Sequence, residues 1–161
     1  MGTTRITAPS GLPFIDFERE FDATPDLLFR AHSEPDLIAQ WLGPKKYEIE
    51  IDEYDVRDGG RYRYVHRDDQ GNAWGFHGVF HGAQSVDGMV QTFEFEGAPG
   101  HVSLDSLRFE ALDGGRSRLV GRSVYQSLEA RDAMVEGGME GGLNEGYERL
   151  DDLVGHLQPV H

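Results

Sequence analysis

The sequence contains no cysteine, which excludes a disulfide framework, thiolate metal sites and a cysteine nucleophile, so the fold must be held by its core alone. It is short of basic residues: 15 Lys and Arg stand against 29 Asp and Glu, a formal net charge of -14 with His neutral. The acidic residues are scattered rather than gathered in a tail and read as solvated surface. DNA, RNA and anionic membranes need clustered Lys and Arg, and are excluded as partners. Long hydrophobic runs are also missing. Residues 1–12 have no apolar h-region, and nowhere do about 18 apolar residues follow one another, so neither a secretion signal nor a membrane helix is expected and the cytoplasm is the expected location. No Ser sits in a Gly-x-Ser-x-Gly elbow, and the glycine runs near the C-terminus do not follow a strand as a phosphate loop would. Neither signature supports a catalytic nucleophile or a nucleotide cofactor.

What is present fits one domain of ordinary size: 161 residues can bury a core with room for an internal pocket. A polar leader, residues 1–13, precedes an expected domain over 14–157 and a tail at 158–161. Ile15, Phe17 and Phe21 share one face of an alternating segment, a strand. Thr24, Pro25 and Asp26 then supply an N-cap, a first-turn Pro and an early acid for a short helix. Pro35 and Asp36 open a second, carrying Leu37, Ile38, Trp41 and Leu42, and Gly43-Pro44 stops it. From Tyr47 the period becomes two, with Tyr47, Ile49 and Ile51 facing one way and Glu48, Glu50 and Asp52 the other. Turns rich in Asp and Gly separate further strands at 61–67, 73–84, 89–96, 102–112 and 116–126. Met139, Leu143, Tyr147, Leu150, Val154 and Leu157 recur every three or four residues, so a long amphipathic helix closes the chain. The order predicts an α+β fold in which a curved antiparallel sheet wraps a long C-terminal helix, with a cavity in the gap between them.

Strand parity gathers the candidate pocket wall. Tyr62, Tyr64 and His66 fall on one face of their strand, Trp74, Phe76 and Phe80 on one face of the next, and Phe93 and Phe95 together on the following one. Aromatic walls with a few polar handles suit an apolar ligand, and they equally suit plain core packing. Gly137, Gly138, Gly141, Gly142 and Gly146 each cost a helix about 1 kcal/mol relative to Ala. They point either to a loose half that opens the pocket or to close approach of helix and sheet. Met134 and Met139 beside them offer an adaptable apolar surface. His77 and His81, four apart on a strand, are roughly 13 Å apart, too far for one metal ion, and no metal site is expected.

Several segments resemble the activator of heat-shock-protein-90 ATPase homologue family, within the START-like (SRPBCC) superfamily that also holds polyketide cyclases and the birch pollen allergen. Residues 23–31 (ATPDLLFRA) look like its opening helix and 34–44 (EPDLIAQWLGP) like its Trp-containing second helix. Residues 55–63 (DVRDGGRYR) are similar to its strand-turn-strand signature and 138–153 (GMEGGLNEGYERLDDL) to its closing helix. The resemblance runs in order over residues 14–157 and implies the helix-grip fold. It implies further a hydrophobic pocket, shared across the family without a shared reaction; the expectation is that a small hydrophobic molecule is bound between the sheet and the C-terminal helix, with no cofactor and no catalysis. The ligand-binding residues are then Tyr62, Tyr64, His66, Trp74, Phe76, Phe93, Phe95, Tyr125, Met134, Gly138 and Met139, with no catalytic residue assigned. Two alternatives stay open. One is a cyclase-like or hydrolase-like enzyme using His66, Tyr64 or Tyr125 as acid or base on a carbonyl compound. The other is a chaperone or protein-interaction module, including self-association as a homodimer. The co-chaperone namesake also works through an N-terminal domain, and none is expected here.

Overall fold

The computed structural model describes residues 3–157; the expected tail at 158–161 and the first two residues of the leader lie outside the described residues. Eight strands form one antiparallel sheet: β1 (Arg5–Thr7), β2 (Phe14–Phe21), β3 (Glu48–Tyr54), β4 (Arg61–Arg67), β5 (Ala73–Val79), β6 (Met89–Phe95), β7 (Val102–Ala111) and β8 (Ser117–Val124). Their spatial order is β1-β2-β8-β7-β6-β5-β4-β3, so β3 to β8 are a meander and β2 returns to pair with its last strand. Among the described residues there are four α-helices: α1 (Pro25–Ser33), α2 (Pro35–Ile38), α3 (Leu128–Glu136) and α4 (Met139–His156). No helix among the described residues is long and apolar enough to cross a membrane. This is the helix-grip arrangement of a curved sheet around a long C-terminal helix.

The caps act where the residue chemistry places them. Thr24 Oγ1 accepts from the Leu27 amide at 3.3 Å and Pro25 takes the first turn of α1, as the orphan donors of a helix start require. The four-residue α2 runs on through helical turns to Leu42, and the Trp41 indole donates to the Ala31 carbonyl at 3.0 Å, tying this segment to α1. Buried Phe21, Leu28, Ile38, Trp41, Leu119, Leu150 and Val154 lie in one continuous core between the sheet and the helices, and apolar area removed from water is the main favourable contribution to folding. On the opposite face of the sheet, acids and bases alternate in cross-strand pairs, such as Arg63 with Glu96 at 2.7 Å and Arg122 with Asp16 at 2.6 Å.

Four features depart from the sequence reading. Within the segment expected to be a flexible polar leader, Arg5–Thr7 pairs with the otherwise open edge of β2, and Arg131 of α3 donates to the Pro9 carbonyl at 2.8 Å and, at the start of β2, to the Phe14 carbonyl at 3.1 Å. Second, the strand expected over 73–84 ends at Val79, because Gly82, at φ 79°, turns the chain back. Third, α3 precedes the closing helix; with Arg131 its one buried residue, it has no apolar periodicity by which to be recognised. Finally, Gly138 at φ 85° separates α3 from α4, a left-handed conformation that costs glycine little.

Arg19 is the one charged residue on the inward face of β2. It is buried, donates to the Tyr147 carbonyl at 3.2 Å and pairs with Asp151 at 2.9 Å. Sheet and closing helix are thus joined by a charge pair as well as by apolar contact. Removing Asp151 would take the carboxylate partner from a buried guanidinium, a costly change for such a group.

Candidate functional site

A cavity of about 310 Å³ lies between the inner face of the sheet, the α1–α2 segment and the N-terminal half of α4. Pairing across the sheet decides what lines it. On β4, Tyr62 and Tyr64 point inward; on β6, Gln91 and Phe93; on β7, Ser103, Asp105 and Leu107; and Ser123 on β8 lies opposite Asp105. The helical side contributes Trp41, Leu42, Met139, Leu143 and Tyr147. A second recess of about 450 Å³ adjoins the first and lies under α3; Phe93, Ser103, Tyr125 and Met134 line both.

The structure brings six of the expected ligand-binding residues to the main cavity: Tyr62, Tyr64, Phe93, Tyr125, Met134 and Met139. Phe95 faces the adjoining recess instead. Phe76 forms a layer among Tyr64, His66, Phe93 and Phe95, with ring centroids 5.2 to 5.5 Å apart. His66 lies beyond the cavity wall, its ring against Gly43 and 5.7 Å from Tyr47, and Trp74 packs on Tyr47 at 5.2 Å at the same end of the sheet. These two close the sheet under the α2 loop rather than facing the cavity. Gly138 is outside it as well, at the helix break.

The glycines of the closing helix divide by role. A Cβ on Gly146 would stand 3.3 Å from the Gly43 amide nitrogen and 3.4 Å from the Trp41 carbonyl oxygen, whereas one on Gly141 would meet open space. Close approach accounts for the first but not for the second.

The polar groups missed by the aromatic pattern are Gln91, Asp105 and Ser123, a row in register across β6, β7 and β8. Ser103 Oγ donates to Asp105 Oδ1 at 3.0 Å and the Ser123 hydroxyl donates to the same carboxylate. Burial pushes the Asp105 carboxyl up to about 6, against the opposing pull of those two hydroxyls. The signal for Asp105 was its parity: Ser103, Asp105, Leu107 and Phe109 alternate. The opposite face of β7 carries Leu104, which is 47% exposed, so hydrophobicity alone could not choose the inward side.

The phenols are spoken for or held protonated. Tyr62 Oη donates to the Thr92 carbonyl and Tyr54 Oη to the His32 carbonyl, both at 2.5 Å. Burial drives the Tyr54, Tyr62, Tyr64 and Tyr147 phenols upward, with the Asp105 charge adding to this for the last three, and it pushes Tyr125 up to about 12. Burial lowers both His32 and His66 to about 4. His32, on the cavity wall, is therefore a neutral imidazole whose Nδ1–H donates to the Leu28 carbonyl at 2.7 Å, leaving Nε2 without a partner. Of the three groups considered for acid–base chemistry, His66 is outside the cavity, and Tyr64 and Tyr125 are hydrogen-bond donors at neutral pH. Among the described residues lining the cavity, Asp105 is the one carboxylate and there is no Lys or Arg.

Residues 22–155 match the family model described as Activator of Hsp90 ATPase homolog 1-like protein. No curated protein matches the sequence. Among solved structures, a protein from Rhodobacter sphaeroides superposes with a TM-score of 0.87 at 25% identity over 96% of this chain and 99% of that one. Protein Ms6760 from Mycobacterium smegmatis superposes at 0.84 and 20% identity, over 100% and 99%. The AHSA1 protein from Silicibacter pomeroyi superposes at 0.74 and 19% identity, over 90% and 99%. The last two likenesses are of fold alone.

Proposed function

The chain belongs to the activator of Hsp90 ATPase homolog 1-like family, and from that premise we propose that it binds a small, predominantly apolar molecule between the sheet and α4, without chemical conversion. The observation that carries this reading is the cavity wall itself. Tyr62, Tyr64, Phe93, Trp41, Leu143 and Met139 surround a space the size of a bicyclic or tricyclic compound, and the polar groups are few: Gln91, Ser103, Asp105 and Ser123 on the sheet and His32 on the helical side. Few convergent polar groups within an apolar enclosure are the usual makings of a small-molecule site. Met134 and Met139, on flexible stems beside the helix break, let the wall adjust to the shape of its occupant.

Native mass spectrometry of protein purified gently from its own cells tests the reading. A reproducible added mass that organic extraction removes is the expected result. A clean apo mass, together with no change in melting temperature across a panel of apolar compounds, would overturn it.

A further inference from the structure

Asp105 stands out among the cavity residues because nothing charged answers it. It projects from the middle strand of the β6-β7-β8 row. Two hydroxyls, from Ser103 and Ser123, donate to it. An ionised carboxylate offers about four acceptor sites, so two hydroxyls leave it under-satisfied. The rest of the enclosure cannot make up the difference, because no Lys or Arg is among the described residues that line it and its remaining walls are chiefly aromatic and aliphatic. A carboxylate unpaired in such surroundings is costly, and the cost shows as the upward push of its carboxyl to about 6. At neutral pH the group is still mostly ionised. The titratable groups facing it are the phenols of Tyr62 and Tyr64 on β4, Tyr125 just after β8 and Tyr147 on α4; His32 of α1 lines the same cavity and stays neutral. None of these supplies a positive charge.

Resting on the reading that this cavity holds a small apolar molecule, we infer that its ligand is an organic cation, an ammonium group carried on an apolar, ring-sized body, with the ammonium paired to Asp105 and the body held among Tyr64, Phe93, Trp41 and Tyr147. An ammonium supplies the missing N–H donors and the countercharge together, and charge-assisted bonds of this kind are the stronger class. Tyr62, Tyr64, Phe93, Trp41 and Tyr147 line the same space, and aromatic faces attract a cation. A carboxylate-bearing ligand would bring a second negative charge to a site that already carries one unpaired, and is selected against.

Calorimetric titration of the protein with three isosteres, naphthylmethylammonium, naphthylmethanol and naphthoate, separates the possibilities. At pH 7.5 the ammonium is expected to bind roughly tenfold or more tightly than the alcohol, as a charge-assisted bond implies, and the carboxylate most weakly. Asp105→Asn should abolish the ammonium's advantage over the alcohol. In the wild type, lowering the pH from 7.5 to 5 should narrow the ammonium's advantage over the alcohol, because protonation of Asp105 removes the countercharge. Equal binding of alcohol and ammonium by the wild type would overturn the charge assignment while leaving an apolar cavity intact, and this comparison does not depend on the variant folding. An ammonium preference that survives in a folded Asp105→Asn protein would overturn the role given to this residue. Failure of all three compounds to bind would overturn both the cation and the cavity readings.

Discussion

At the scale of single residues, the buried ionisable groups give this protein two opposed pH dependences. Asp105 is raised in the fold from 3.8 to about 6, so the fold prefers its protonated form. Its contribution is most favourable below the unfolded value and is lost as pH rises through about 6, leaving a penalty at neutral pH. Asp105→Asn, which keeps the shape without the charge, is therefore expected to stabilise the protein by about 1–3 kcal/mol at pH 7.5. At pH 4 the gain should nearly vanish. His32 and His66 act in the other direction. Both fall from 6.5 to about 4, so the unfolded chain takes up protons that the fold refuses, and the stability they confer is present above about 6.5 and lost on acidification towards 4. Urea unfolding at pH 7.5, 5.5 and 4 measures all three groups. A flat profile in Asp105→Asn relative to wild type would show that the carboxylate is better solvated than its position implies.

At the scale of elements, the closing helix depends on which of its glycines touch something. Gly146 lets α4 lie against the backbone at Trp41 and Gly43, where an added Cβ already stands at 3.3–3.4 Å. Gly146→Val adds two more methyl groups to a contact made with backbone atoms and is expected to destabilise by about 1–3 kcal/mol, as overpacking does. Gly141 sits in open space within helical turns, so Gly141→Ala should stabilise by about 0.5–1 kcal/mol through helix propensity. Thermal unfolding of the two variants tests the division directly, since a purely propensity-driven account predicts gains at both positions. The same contact positions Tyr147 and Leu143 over the cavity, so Gly146→Val should also weaken ligand binding whereas Gly141→Ala should not.

At the scale of the whole molecule, the surplus of 29 acidic over 15 basic side chains sets the long-range field. Local pairs such as Arg63 with Glu96 and Arg122 with Asp16 absorb part of the negative charge on the outer face, but exposed pairs contribute only about 0–1 kcal/mol each. Net repulsion therefore dominates, and it is screened over roughly 10 Å at 0.1 M salt. Raising sodium chloride from 20 to 300 mM is expected to increase the melting temperature by a few degrees. A decrease would mean that the cross-strand pairs outweigh the repulsion. The same field favours approach of a cationic ligand and disfavours an anionic one.

Much of this architecture was written in the chain. Alternation at Ile15, Phe17 and Phe21, the cap at Thr24 and Pro25, the Asp-Gly turns and the recurrence from Leu143 to Val154 are local signals, because capping, pleating and helical phase depend on residues only a few positions apart. Parity likewise placed Tyr62, Tyr64 and Phe93 on one inner wall. Helix α3 was not legible, since an exposed helix whose buried residue is an arginine carries no apolar period. Nor was the separation of His66 and Trp74 from Tyr64, which share parity and differ only in whether the α2 loop or the open cavity lies above them. The central role of Asp105 was hidden for a related reason. A carboxylate in an alternating strand is ordinarily the wet side, and only the pairing of β7 between β6 and β8, with α4 laid across them, turns that face inward and removes the water that would otherwise solvate it.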